Sequence, residues 1–98
     1  MDKTLGFIGI LNRGRKVLIG ESAHYGILDG HYAFLARDCS ENTEKAAYKA
    51  LKKNDIPVDK TYSKKELGSS IGYEEVSFLI ITDRKAAKKL IAEKEESK

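Results

Sequence analysis

Apolar residues alternate between two rhythms along this chain, and the switches divide it into elements. Leu5, Ile8 and Leu11, with Phe7 and Ile10 beside them, recur at helical spacing and predict a first helix ending near Gly14. Val17-Leu18-Ile19 is too short for a helix and uniformly apolar, so it reads as a buried strand. Gly20 and Ser22 open a second helix carrying Ala23, Ile27 and Leu28 and stopped by Gly30. The next strand covers residues 32–36. Ser40 caps a third helix with Ala46, Ala47, Ala50 and Leu51 as its apolar stripe, ending at Asn54-Asp55. Pro57 forbids its continuation and leads into a strand over 58–62. Ser63-Lys64-Lys65-Glu66 is a capping box, which predicts a short fourth helix from about Lys64 to Ile71, ended by Gly72. Residues 76–82 form the most hydrophobic strand. Asp83 then starts a last helix with Ala86, Ala87, Leu90 and Ile91 facing inward.

The order α-β-α-β-α-β-α-β-α implies a three-layer α/β/α sandwich around a central four-stranded mixed sheet. Function in such folds collects on the loops at one edge of the sheet, near helix N-termini. With 98 residues, 41% of them hydrophobic, the chain supports one core and one domain over 1–98, with a charged tail over 92–98 expected to fray.

Composition removes several function classes. The longest apolar run, Phe78-Leu79-Ile80-Ile81, falls far short of a membrane span, so no membrane partner is expected. The opening Met1-Asp2-Lys3-Thr4 has none of the marks of a signal peptide, and Cys39 is the sole cysteine, which together give the expectation of a cytoplasmic protein. No phosphate-loop, nucleophile-elbow or zinc-protease motif is present, and neither catalysis nor a cofactor is expected. His24, His31 and Cys39 are the residues a zinc site would draw on. Lone histidines are more often surface or cap groups, so no metal is expected. Asp38 beside Cys39 offers a tuned thiolate, but one free loop cysteine is usually inert. The Gly6-Phe7-Ile8-Gly9 run reads as a thin, closely packed helix face rather than a ligand loop.

Eighteen Lys and Arg against fifteen Asp and Glu give a net charge of +3, which permits contact with a phosphate backbone without demanding it. Asn12-Arg13-Gly14-Arg15-Lys16 packs three cations into four residues and is a candidate phosphate-contacting turn. The cations of the last helix, Arg84, Lys85, Lys88, Lys89 and Lys94, are offset by Glu93, Glu95 and Glu96 and read as a solvating face. Gly20, Glu21 and Ser22 place free amides at a helix start. Arg37 and Asp38 leave the second strand beside them, and Gly68-Ser69-Ser70-Ile71-Gly72 adds small residues and one exposed apolar side chain. Three such loops at one edge make a docking surface.

Three runs carry a family likeness: Gly14-Arg15-Lys16-Val17-Leu18-Ile19-Gly20-Glu21, Ala36-Arg37-Asp38-Cys39-Ser40-Glu41-Asn42-Thr43 and Lys65-Glu66-Leu67-Gly68-Ser69-Ser70-Ile71-Gly72. At this spacing the chain resembles the kink-turn-binding ribosomal protein family, closest to its short bacterial members, over roughly residues 5–91. The resemblance implies the same three-layer sandwich and a non-catalytic partnership with structured RNA, ribosomal or otherwise kinked, with a ribosome or translation setting. It implies no DNA partner and a monomer. In the family an Asn-Glu pair at the start of the second helix, and a Lys three residues beyond that Glu, read the tandem sheared G·A pairs of kinked RNA. Those places are held here by Ser22, Ala23 and Gly26. The resemblance therefore leaves Arg15, Lys16, Gly20, Glu21, Ser22, Arg37, Ser69, Ser70 and Ile71 as the RNA-contacting set, Ile71 being where the family packs an apolar loop over an extruded base. The alternative is a protein-interaction module on the same fold, anchored by Tyr25, Tyr32 and Tyr73.

Overall fold

A computed structural model describes the backbone of residues 3–96 and the side chains of residues 3–93. In chain order the elements are α1 (Lys3–Arg13), β1 (Val17–Ile19), α2 (Glu21–Tyr25), a 3-10 turn (Ile27–Asp29), β2 (Tyr32–Leu35), α3 (Glu41–Lys53), β3 (Val58–Asp59), α4 (Lys64–Ile71), β4 (Phe78–Ile81) and α5 (Arg84–Glu96). The expected frayed tail over 92–98 lies partly outside the described residues, while α5 continues through Glu96.

The sheet order is β1-β4-β2-β3. β4 runs antiparallel to β1 and to β2, with Leu18 opposite Ile80 and Ala33 opposite Ile80, whereas β3 joins β2 in parallel. The sheet is therefore mixed, as expected. β1, β2 and β4 are unbroken apolar runs because both faces are covered. Tyr32, Phe34, Leu79 and Ile81 point into one layer with Leu5, Ile8 and Leu11 of α1, Leu67 of α4 and Leu90 of α5. Ala33, Leu35, Phe78 and Ile80 point into the other with Ala23 of α2 and Ala47 and Leu51 of α3. Strict alternation along β2 and β4 deals successive side chains to opposite layers.

Local signals account for most boundaries. The Ser40 hydroxyl accepts the amide of Thr43 and starts α3. Ser63 and Glu66 form the complete capping box of α4, and Gly72, at φ +82°, ends that helix in the left-handed region. Asp83 supplies the backbone oxygen that accepts from Ala87 in the first turn of α5. The thin helix face expected over residues 6–9 holds at Gly9 only: a Cβ there would stand 2.6 Å from the carbonyl oxygen of Ser70, so α1 and α4 meet backbone on backbone, whereas Gly6 faces open space.

Three expectations need correction. The second helix does not run to Gly30. It stops at Tyr25, Gly26 breaks it, and the following turn leaves Leu28 83% exposed rather than in an apolar stripe. The strand over 58–62 shortens to two residues because the side chain of Asp59 turns back to accept the amide of Thr61. The strand over 76–82 narrows to Phe78–Ile81, since Val76 instead gives its amide to the Lys64 carbonyl. No helix among the described residues is long and apolar enough to cross a membrane.

Candidate functional site

The strand directions give the sheet two functional ends. At the upper rim β1, β2 and β3 finish and β4 begins: Gly20 donates to the Phe78 carbonyl, Ala36 to Ser77 and Arg37 to Tyr62. At the lower rim Thr82 donates to the Lys16 carbonyl and His31 to Ile81. The expected contact set divides between them. Gly20, Glu21, Ser22 and Arg37 lie at the upper rim, and Arg15 and Lys16 lie at the lower one.

Gly20 has φ +59° with ψ −123°, a combination that only glycine adopts without strain, and it turns the chain from β1 directly into α2. The first-turn amides of Glu21 and Ser22 stand ahead of the helix's own hydrogen-bond ladder. Beside them opens a groove of about 310 Å³ whose walls include Gly20, Glu21, His24, Thr43, Tyr73 and Glu75. His24 lies over Phe78 with ring centroids 4.8 Å apart. Among the described residues no Lys or Arg lines this groove, and of its two carboxylates Glu75 is paired with Lys64 at 3.7 Å.

The three positions that replace the family's base readers differ in setting. Ser22 is exposed, Ala23 is 0% exposed within the second layer, and a Cβ on Gly26 would collide with the side chain of Leu18. A side chain reaching from position 23 toward a ligand must first leave the core.

Arg37 is engaged with its own fold. Its Nη1 donates to the Thr61 carbonyl at 2.7 Å and to Glu66 Oε1 at 2.9 Å. That same Glu66 oxygen accepts the Ser63 amide. The Ser63 amide first, and the Arg37 guanidinium next, hold the Glu66 carboxyl below the usual carboxylate range. Asp38 accepts the Lys64 amide at 2.8 Å. The loop leaving β2 thus anchors the starts of α3 and α4.

In the run from Gly68 to Gly72, Gly68 is buried and Ser69 exposed. The Ser70 hydroxyl donates to the Leu67 carbonyl at 2.6 Å. Ile71 is not the exposed apolar side chain expected there: it ends α4 half-buried against the first layer. The apolar surface on the groove wall belongs instead to Tyr73, 55% exposed, placed there because its amide bonds back to the Gly68 carbonyl. Nothing local in the sequence marks Tyr73, Thr43 and Ser77 as neighbours of Gly20, since tertiary folding alone brings them together.

At the lower rim Arg15 takes φ +60° and is exposed, and Lys16 Nζ lies 3.5 Å from Asp83 Oδ2. His24 and His31 stand at opposite rims, and among the described residues no group of three or more His, Cys, Asp or Glu is placed to hold a metal. Cys39 is half-buried against both layers, and burial first, then the Glu44 carboxylate, pushes its thiol up, away from a reactive thiolate.

A mixed sheet ordered β1-β4-β2-β3, with α1, α4 and α5 on one face, α2 and α3 on the other, and a glycine turn into α2 at the rim, defines an α/β/α class to which the three sequence runs already pointed. The chain belongs to the ribosomal protein L7Ae/L30e/S12e/Gadd45 family, whose model matches residues 29–91. It is 34% identical over 88 residues to the RNA-binding protein YlxQ of Bacillus subtilis (strain 168), covering 87% of this chain and 88% of that one. A solved protein of unknown function from Bacillus halodurans C superposes with a TM-score of 0.85 at 25% identity, covering 94% of this chain and 96% of its own. The family match begins at residue 29, beyond Ser22 and Ala23 of α2 and the Gly26 that ends it.

Proposed function

We propose that this protein binds structured RNA, does no chemistry on it, and has given up specific reading of kinked RNA. The observation that carries the RNA reading is its likeness, at 34% identity over 87% of its length, to a relative described as RNA-binding. Loss of kink-turn specificity is supported by the setting of the three replaced positions. Ala23 and Gly26 offer no polar side chain, and each lost bidentate base contact removes about 1–3 kcal/mol of discrimination. What remains suits backbone and shape recognition. Arg15 and Lys16 meet phosphate, while Gly20, Ser22 and the amide of Glu21 face the ligand at the other end of β1, with Ser69 and Ser70 beyond them. The four residue steps from Lys16 to Gly20 separate the two ends by about 13 Å, a span that one RNA backbone crosses. Arg37 contributes by holding the rim in shape. Ribosomal or translation-associated RNA and a cytoplasmic setting complete this reading.

The test is a titration of the full chain against a kink-turn RNA and a scrambled duplex across a salt series. Comparable affinity for both is expected, falling with salt. Lys16→Ala should weaken both uniformly and lower the salt slope by about one. No binding to either RNA at low salt removes the reading, and strong preference for the kink-turn removes its specificity claim.

Exposed apolar side chains favour a second reading, in which the fold docks a protein. Tyr25 is 88% exposed and Leu28, three residues on, 83%. Tyr32 drops out of the expected anchors because it is buried and donates to Asp59 at 3.3 Å. A partner retained after nuclease treatment and lost in Tyr25→Ala supports this reading over the first.

A further inference from the structure

The cations of α5 read from sequence as a solvating face, and their place beside α1 in the fold changes that meaning. Lys3, Phe7, Ile10 and Arg13 follow one another at helical spacing along α1, and α5 lays Lys89 and Glu93 beside them. Between the two helices lies a groove of about 360 Å³. Its floor is apolar: Ile10 is 57% exposed, and a Cβ on Gly6 would meet nothing within 4 Å. Its walls are basic. Lys89 Nζ sits 4.8 Å from the centroid of the Phe7 ring, Arg13 stands at one end, and Lys3 pairs with Glu93 at 3.8 Å. The cations continue past the groove, because the carbonyl of Lys16 accepts the amide of Thr82 and so brings the Arg13–Lys16 turn against the start of α5. Arg13, Arg15, Arg84, Lys85 and Lys88 are exposed and make no ion pair among the described residues.

We infer that this α1/α5 groove, with the adjoining cationic turn, is a polynucleotide track that holds an RNA strand by phosphate contact over an apolar floor. The inference rests on the RNA-binding reading and moves the main electrostatic contact away from the upper groove, which no cation lines among the described residues. Phosphate needs cations, and among the described residues no Lys or Arg lines the upper groove, the nearby Lys64 being paired with Glu75 at 3.7 Å. The α1/α5 surface offers Arg13 on one wall and Lys89 on the other, neither in an ion pair among the described residues, and the exposed Ile10 supplies an apolar contact for bases or riboses, while the Phe7 ring, packed on the core, lies under the Lys89 ammonium. Two apolar side chains are too few to anchor an amphipathic helix, which needs a stripe of i, i+3, i+4 and i+7 positions. The run of cations is also open at the turn, as a strand requires and a closed socket does not.

The deciding experiment uses the full chain and a short unstructured RNA carrying 4-thiouridine. Its crosslinks should map to α1 and α5. Arg13→Glu combined with Lys89→Glu should lower affinity about tenfold or more and reduce the salt slope by about 1.4, with an unchanged melting temperature. Should that pair fail to fold, Arg13→Gln with Lys89→Gln and the crosslink map of the wild type decide. Crosslinks confined to residues 19–26 and 73–77, or wild-type affinity in a folded double variant, overturn the track while leaving RNA binding intact. Wild-type protein that binds no RNA overturns both readings. Capture of a synthetic acidic amphipathic peptide in place of RNA, abolished by the double variant, overturns the choice of occupant.

Discussion

At Gly9 and Gly6, three residues apart on α1, the same added methyl group meets opposite surroundings. Position 9 faces the Ser70 carbonyl oxygen at 2.6 Å, a backbone atom that can move only if α4 moves. Position 6 faces open space. Gly9→Ala should therefore destabilise by about 1–3 kcal/mol through overpacking, while Gly6→Ala should stabilise by up to about 1 kcal/mol through helix propensity alone. Urea midpoints of the two variants, one below wild type and one above, check the contrast. Ala23 presents a harder case. Restoring the family's carboxylate there, as Ala23→Glu, would push an ionised group into the layer formed by Leu35, Phe78 and Ile80, which calls for about 3 kcal/mol or more. A large fall in urea midpoint, with no gain in preference for kinked RNA, is the expected result. The same change made without loss of stability would show that position 23 is free to turn outward and that recognition can be regained.

Among the elements, α4 shows how a local signal and a distant one combine. Its capping box is written in four consecutive residues and was legible as such, so Ser63→Ala should cost about 1 kcal/mol in urea denaturation. That Arg37, 29 positions away, completes the same carboxylate was not legible, because nothing between β2 and α4 fixes their approach except the packed sheet. Glu66 is held ionised below its ordinary range in the folded state, so its contribution is present above about pH 4.5 and is lost as pH falls through the lower folded value. Glu66→Gln should accordingly narrow the stability difference between neutral and acid pH, and the ratio of melting temperatures at pH 7 and pH 3 measures it. The strands and α3 were also readable, since continuous apolar runs and the Ser40 cap are local facts. Extending the second helix to Leu28 failed because Ala23 and Ile27 share a spacing that Gly26 interrupts. The candidate site was legible only in pieces. Sequence marks Lys16 and Gly20 as neighbours, yet a strand between them sends one to each rim, and it keeps Arg13 and Lys89 far apart although one groove joins them.

On the scale of the whole molecule, one thin sheet serves two cores. Phe34 and Leu35 are consecutive, each fully buried, and they belong to different layers, so neither layer can loosen without disturbing the strand that supports the other. The domain should consequently unfold as one cooperative unit. Tyr32, Phe34 and Tyr62 form a ring series in the first layer, with centroid separations of 5.2 and 6.2 Å, and burial pushes the Tyr32 phenol far above its ordinary range. Tyr48 packs against the second layer, so in a Tyr48→Phe background, with Tyr25 and Tyr73 exposed, the ordered tyrosine dichroism comes from Tyr32 and Tyr62 and reports on the first layer. Leu51 sits in the second layer on α3, out of that ring series. Leu51→Ala removes about 2–5 kcal/mol, a large share of the roughly 5–15 kcal/mol that a domain commands. If the layers are coupled through β2 and β4, the tyrosine signal should lose its midpoint by the same amount as the far-ultraviolet helix signal, though no tyrosine of the ring series touches the mutated layer. A tyrosine transition left at its wild-type midpoint while the helix signal shifts would mean that the two cores melt separately, and that the rim loops joining them are not held by a single rigid frame.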